Sequence, residues 1–377
     1  MIALIDINNF YVSCERLFNP TLINQPVVVL SNNDGCIISR SNEAKKLGIK
    51  MGVPLFKVKK LLNDNKVNIL SSNYPLYADM SFRTMQVLST FADLQEIYSI
   101  DECFLDLSGQ KNLNVLGTLI RKRLSRWLGM PVCVGIAPTK TLAKFANHCA
   151  KTQDSWQGVC DFSKMKENEI NQIMANVDVS KVWGVGAKTS AKLKKMDINS
   201  VLDLKLINPA KINFYFNVNI ERIVVELNQS ICFPIITEAP KKNEILSSRS
   251  FGRPVNTIEM LSEAITTFLS RATYKARQQE MLATSITLFI RSSPHRCKDN
   301  YYARAIRIPL DFPTNHHNLM LPRALEGLRA IFKPNIKYTK CGVLLSGLIS
   351  KSIQQKDLWP TFGNSSMEVV DKINNKF

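Results

Sequence analysis

Two adjacent acids held between two apolar runs constrain this chain more than any other feature. The stretch is Glu96 to Leu107, EIYSIDECFLDL. Ile97-Tyr98-Ser99-Ile100 is β-branched and aromatic and predicts a strand. Cys103 to Leu107 predicts a second, closed by Ser108-Gly109. In a regular strand neighbouring side chains point to opposite faces, so Asp101 and Glu102 could not share a ligand. If the chain reverses at that pair, both carboxylates lean to one side. A strand-flanked acidic pair at a tight turn is one way to hold a divalent cation, and hard Mg²⁺ takes carboxylate, water and phosphate oxygen. Taken alone, the pair reads more simply as a polar hairpin tip, because acids are common in turns.

The N-terminus changes that balance. Met1 to Ile5 is an apolar run that ends on Asp6, followed by Asn8-Asn9 and Phe10-Tyr11. An acid at the end of a buried strand is costly unless it is paired or bound to a cation. Asp6, Asp101 and Glu102 together could form a two-metal site for in-line phosphoryl transfer.

Composition points to the partner. The chain has 377 residues and a formal net charge of +18, with 45% hydrophobic residues. That is ample for a core and too long for one ordinary domain. The basic excess suggests a polyanion, nucleic acid before membrane, although surface lysines also aid solubility. Nine cysteines occur with no C-x-x-C pair, which argues against a zinc finger and fits unpaired thiols in a reducing cytoplasm. Asp6 interrupts the first apolar run, so no secretory segment is expected. No run approaches the roughly 20 apolar residues of a membrane span.

Asp6 to Glu15 (DINNFYVSCE), together with Tyr98-Ser99-Ile100-Asp101-Glu102, resembles the Y-family translesion DNA polymerases. Ser31 to Cys36 (SNNDGC), Ser72-Asn73-Tyr74, Leu76 to Ser81 (LYADMS) and Thr139 to Lys144 (TKTLAK) narrow the likeness to UmuC-like chains. That group comprises the catalytic subunit of bacterial DNA polymerase V and its mobile-element relatives. The resemblance implies an error-prone polymerase of the SOS response, adding dNTPs to a primer 3′-hydroxyl on damaged template. It implies a right-hand fold, α/β and α+β. The palm falls on residues 1–31 and 73–163, small fingers on 32–72, a helical thumb on 164–237, a βαββαβ little finger on 238–350 and a tail on 351–377. It makes Asp6, Asp101 and Glu102 the catalytic ligands of two Mg²⁺ ions, with the Ile7 carbonyl as a further ligand. Tyr11 matches the gate under the incoming sugar, with Phe10 beside it. Without the resemblance Tyr11 reads as a core aromatic of the first helix. Ser39, Arg40, Lys45 and Lys151 match contacts to the nucleotide. Lys45 stands where some members have arginine, so its contact loses the guanidinium fork.

The residues support this division. Phe10 to Leu17 reads as a helix stopped by Asn19-Pro20, and Pro26 to Ser31 as a buried strand. From Asn32 to Ser72 the chain is small, polar and basic, with a helix at Asn42 to Leu47; by itself this reads as a solvated loop. Helices are predicted at Tyr74 to Phe91, Leu113 to Leu128 and Lys140 to Ala150, with Lys151 just beyond and a strand at Val132 to Ile136. Strands and helices alternating through Lys151 predict a mixed sheet. Beyond Lys164 the strand signal disappears. Val182-Trp183-Gly184-Val185-Gly186 before the helical stretch Lys188 to Met196 resembles a helix-hairpin-helix, with Gly184, Gly186 and Lys188 placed for a DNA backbone.

Glu238 to Glu244 (EAPKKNE) reads as a tether. After it the pattern strand, helix, strand, strand, helix, strand predicts a sheet backed by two helices. Residues 243–350 carry 15 Lys and Arg against 7 acids, an excess suited to phosphate. Arg249, Arg253, Arg291, Arg304 and Arg307 lie on or beside its strands and are expected to track a duplex. In the tail, Gln355 to Trp359 (QKDLW) resembles a sliding-clamp peptide, with Gln355, Leu358 and Trp359 as anchors; packing on its own domain is the alternative. The resemblance also implies a processed UmuD-like dimer and RecA as partners, but UmuC-like chains usually extend further, which puts those contacts in doubt. Two rivals to the polymerase remain: a nucleotide cyclase on a similar palm, and a non-catalytic DNA-binding scaffold of damage tolerance.

Overall fold

The computed structural model describes residues 1–238, 243–293, 301–353, 369–371 and 373. They fall into two compact units, Met1–Ala239 and Pro240–Phe377. Among the described residues no helix is long and apolar enough to cross a membrane.

The first unit begins with β1 (Ile2–Ile7) and α1 (Phe10–Phe18). β2 (Val27–Leu30), β3 (Ile37–Arg40), α2 (Asn42–Lys46), α3 (Leu55–Asp64) and β4 (Asn68–Ser71) follow. Then come α4 (Tyr74–Leu88), β5 (Gln95–Ile97), β6 (Glu102–Asp106), α5 (Leu113–Leu128), β7 (Val132–Ala137), α6 (Lys140–Thr152) and β8 (Val159–Asp161). Five helices end the unit: α7 (Glu167–Ala175), α8 (Ala187–Lys194), α9 (Val201–Leu206), α10 (Pro209–Tyr215) and α11 (Val218–Leu227).

The main sheet has the order β5-β6-β1-β7-β8, antiparallel except for the parallel pair β7/β8. The expected mixed sheet is therefore present. β1 lies at its centre, and alternation along it feeds two cores. Ile2 and Leu4 face α6 and the helices beyond it, whereas Ala3, Ile5 and Ile7 face α1, α4 and α5. Asp6 is the one residue of β1 that is not fully buried.

Helix α6 approaches this sheet with almost no spacing. A Cβ on Gly135 would lie 2.1 Å from the Asn147 backbone nitrogen and 2.3 Å from the Ala143 carbonyl oxygen, so only glycine admits the helix. Asn147 then staples it: its side-chain amide donates to the carbonyls of Cys133 (2.8 Å) and Leu4 (3.2 Å). α6 is thus fixed against the strand that carries Asp6.

Several local expectations are corrected. The strand expected at Ile97 to Ile100 is instead Gln95–Ile97, and Tyr98 to Asp101 form the turn. Ser99 explains the shift. Its hydroxyl accepts from the backbone nitrogens of Asp101 (3.2 Å) and Glu102 (3.0 Å), offering the chain a turn in place of a ladder. Lys151 lies in the last turn of α6, not beyond it. Between Asn32 and Ser72 there is more than a basic loop with one helix. β2 is the centre of a separate sheet, β3-β2-β4, in which β2 and β4 run parallel. That sheet and its helices bury Val28, Leu30, Ile37, Ala44, Ile49 and Leu62 in a core of their own. The short strand β8 also carried no clear signal.

In the second unit, β9 (Glu244–Val255), α12 (Ile258–Gln278), β10 (Met281–Ser292), β11 (Ala303–Thr314), α13 (His317–Ile331) and β12 (Tyr338–Ser346) follow the expected order. The sheet is antiparallel, β11-β10-β12-β9, and the two-residue β13 (Ile349–Ser350) pairs with β10. Leu261, Ile265 and Leu269 of α12 and Leu328 of α13 pack with Ile286, Leu288, Ile290 and Val343, so both helices cover one face. Gln355, Leu358 and Trp359 lie outside the described residues, as does part of the tether.

Candidate active site

β1 and β6 bring the first and last of the three acids together. Asp6 and Glu102 are direct partners in the antiparallel register, so both side chains leave the same face. The backbone N–H of Ile7 donates to the Asp101 carbonyl at 2.9 Å, which ties the turn to the end of β1. The Ser99 hydroxyl also donates to Asp101 Oδ1 at 2.6 Å. The chain does reverse at the acidic pair, as the two-strand reading required. Asn9, in the left-handed region at φ 49°, then swings the chain from β1 into α1.

Helix α6 supplies the countercharges. Lys140, Lys144 and Lys151 recur at intervals of four and seven residues and so share one helical face. Lys151 pairs with Asp6 at 2.5 Å, Lys144 with Glu102 at 2.8 Å, and Lys140 with Glu96, which also accepts from the Ile236 backbone nitrogen at 2.6 Å. One helix therefore neutralises one carboxylate on each of β1, β6 and β5. The sequence reading gave Lys140, Lys144 and Glu96 no role. The helical spacing of the lysines was visible, but the partners of Lys140 and Lys144 lie 44 and 42 residues away in the chain.

Burial pushes the Asp6 carboxyl up to about 6, against the pull of Lys151 and with help from the charges of Glu102 and Asp101. Three acids are thus within electrostatic reach of one another. Among the described residues no three acids, histidines or cysteines converge as a ready-made metal cage. The donor chemistry nevertheless fits a hard divalent cation: oxygen ligands, with two ammonium groups already standing against them as cations.

Beside the acids lies a cavity of about 320 Å³, lined by Asp6, Ile7, Phe10, Tyr11, Ser39, Arg40, Lys45, Asp101 and Lys151 among others. Nine of the candidates thus share one wall. Glu102 is not among them, because its carboxylate is turned to Lys144. Phe10 is only 4% exposed and acts mainly as core. Tyr11 is half-buried and stacks on Tyr77, with ring centroids 4.3 Å apart and planes 14° apart. Tyr74 meets the Tyr11 ring edge-on at 6.1 Å, and the Tyr77 hydroxyl donates to Glu15 at 2.6 Å. Tyr11 is therefore both a packed aromatic and a wall of the cavity.

The basic wall is short of anions. Arg40 donates through Nη1 to the Ile49 carbonyl, yet its Nε is buried with no hydrogen-bond partner among the described residues. The Lys45 ammonium is held below its ordinary pKa by burial and then by Arg40 and Lys151. Clustered cations with an unpaired buried donor suit a polyphosphate.

Elsewhere in the first unit, Gly184 sits at φ +81°, and a Cβ there would meet Ile223 Cδ1 at 2.7 Å. Gly186 caps α8, and Lys188 is exposed on that helix. In the second unit the five arginines do not share one face. Arg291 pairs across the ladder with Lys340 and Arg307 with Thr287, on the face away from the helices. Arg304 and Arg249 are register partners of Ile290 and Cys341, both fully buried against the helices. Arg253 follows a register shift and belongs to neither row. Side-chain alternation, invisible before the register was known, separates them.

The site can be set beside known proteins. Residues 5–148 match the impB/mucB/samB family, residues 242–358 its C-terminal domain, and residues 167–198 the IMS family HHH motif. The chain is 41% identical to Protein UmuC of Salmonella typhimurium, covering 100% of this chain and 91% of that one. It is 38% identical to Protein ImpB of Salmonella typhimurium, covering 99% and 90%. Among solved structures, a Y-family DNA polymerase chimera of Dbh and Dpo4 superposes with a TM-score of 0.73 at 21% identity, covering 93% of this chain and 100% of that one. An insertion ternary complex of Dbh DNA polymerase gives 0.57 at 20% identity, with the same coverage. The fold is that of the Y-family polymerases.

Proposed function

The chain belongs to the impB/mucB/samB family, and from that premise we propose that it is an error-prone translesion DNA polymerase. It extends a primer 3′-hydroxyl on damaged template with dNTPs, in the SOS response. One observation carries the reading: Asp6 and Asp101 line the same cavity as Arg40, Lys45, Lys151 and Tyr11. Nucleotidyl transfer needs carboxylates next to a polyphosphate cradle and a wall that reads the sugar. That combination is not required of a DNA-binding scaffold.

Asp6, Asp101, Glu102 and the Ile7 carbonyl are the groups that would hold two Mg²⁺ ions. Bound there, such ions lower the pKa of an attacking hydroxyl and offset charge on the leaving pyrophosphate. The chain's own groups do the rest. Arg40, with its orphaned Nε, and Lys45 bind phosphate oxygen. Lys151 exchanges Asp6 for the triphosphate as the nucleotide enters. Tyr11, held rigid by Tyr77, leaves no room for a 2′-hydroxyl. Ser39, 6% exposed, shapes the floor.

The division proposed is palm 1–31 and 73–163, fingers 32–72, helix-hairpin-helix thumb 164–237, little finger 238–350 and tail 351–377. Gly184, Gly186, Lys188 and the arginine rows serve the DNA backbone. The sliding clamp is assigned to Gln355, Leu358 and Trp359, and a processed UmuD-like dimer and RecA are further candidate partners. The cytoplasm is the expected compartment. Primer extension across an abasic site, with and without those partners, tests the reading; failure under every condition, with DNA still bound, would favour a scaffold.

A further inference from the structure

The Lys144 ammonium is held by more than Glu102. It lies over three aromatic rings, with 4.5 Å to the Tyr98 centroid, 5.4 Å to Trp183 and 5.7 Å to Phe104. Its side chain is 11% exposed, so water does little to screen these contacts. The rings come from separate places: Tyr98 from the turn before the acidic pair, Phe104 from β6, and Trp183 from the loop that leads into Gly184-Val185-Gly186. Trp183 is locked in place. Its indole N–H donates to the Tyr98 hydroxyl at 3.2 Å, and its ring meets Phe233 edge-on at 5.4 Å.

We propose that Trp183 is a positioning residue which, through this aromatic box, sets how much of the Lys144 charge is spent on Glu102. The three ring faces and the carboxylate compete for one ammonium. With the box closed, Lys144 is shared, and Glu102 keeps enough negative charge to take a cation. With a ring removed, the ammonium settles fully on Glu102 and opposes that cation. Because Trp183 stands on the loop that enters the hairpin, duplex held by the hairpin acts on the same box. By linkage, a cation at Glu102 then acts back on the grip. The inference rests on the polymerase reading for the metal role of Glu102.

The two classes of variant have opposite expected signs, which a purely structural role would not produce. The test is Mn²⁺ binding to DNA-free protein, followed by the loss of the free-ion spectrum in electron paramagnetic resonance. Trp183→Leu and Tyr98→Leu should each weaken the tightest site about three- to tenfold, because only part of one cation–π contact is passed on to Glu102. Lys144→Met should tighten it, because the competing cation is gone. Trp183→Phe keeps a ring face and should restore most of the wild-type affinity. Melting temperatures identify any variant that fails to fold; Tyr98→Leu and Trp183→Phe carry the test if Trp183→Leu does. Unchanged Mn²⁺ affinity in the folded ring variants overturns the inference, as does a shift of the same sign in Lys144→Met and the ring variants. Primer extension by the wild type is measured in parallel. If it succeeds while Mn²⁺ affinity does not move, the box fails and the polymerase reading stands; if wild type binds duplex and never extends it, the polymerase reading itself fails.

Discussion

Asp6 and Glu102 face each other as register partners across β1 and β6, and each carboxylate is met by a lysine from the same face of α6. The acids are thus assembled by a strand pairing that joins residues 96 positions apart. They are held ready by a helix that packs against the sheet only because residue 135 is glycine.

That close approach gives the first prediction. Gly135→Ala places a methyl group against backbone atoms of α6, which cannot move singly. Overpacking of this kind costs about 3 kcal/mol. Stability and extension should fall together, since α6 carries Lys144 and Lys151. Wild-type stability on chemical denaturation would show that the helix stands further off.

Asp6 sets a pH-dependent cost. Its carboxyl is raised by burial from an ordinary 3.8 to about 6. The folded state therefore holds a proton that the unfolded chain has released, and stability declines as pH rises from about 4 to 6, then levels. Asp6→Asn removes the cost. The variant should be inactive yet more stable by about 1–2 kcal/mol at pH 7.5 in EDTA, with no gain at pH 4. Denaturation curves at both pH values decide it; a gain at pH 4 as large as that at pH 7.5 would remove the linkage to Asp6.

Tyr11 should govern sugar choice. Tyr11→Ala opens the cavity while leaving Tyr77, itself fully buried, to hold the core. Ribonucleotides should then be incorporated much more readily relative to dNTPs. Unchanged discrimination would confine Tyr11 to a packing role.

The two rows of arginine should behave differently. Arg291→Ala and Arg307→Ala, on the face away from the helices, should each lower the slope of log affinity against log salt by about 1. Arg304→Ala should change it less. Equal slopes for all three would mean that sheet register does not decide which arginines meet the backbone.

Much of this was legible from residue patterns. The βαββαβ unit shows itself because each strand is long and each helix has an apolar stripe. The hairpin at Asp101-Glu102 shows itself through apolar runs on both sides. Most of what stayed hidden depended on partners distant in the chain. β3 and β4 are four residues long and stabilised by parallel and antiparallel pairing to β2, not by their own composition. Ser99 moved the turn by offering its hydroxyl to two backbone amides. The lysine row on α6 repeats at helical spacing, but nothing in that spacing says that Glu96, Glu102 and Asp6 wait opposite. Arg249 and Arg291 looked alike until strand register placed them on opposite faces.

On the proposed function, the acids at the β1–β6 junction perform nucleotidyl transfer. The most direct measurement is single-nucleotide addition to a primer–template in Mg²⁺ by wild type and Asp101→Ala, with duplex affinity measured on the same samples. Addition by the wild type, none by the variant, and nearly equal salt-sensitive binding are expected, because affinity arises mainly from Lys and Arg elsewhere. Near-normal addition by Asp101→Ala would contradict it.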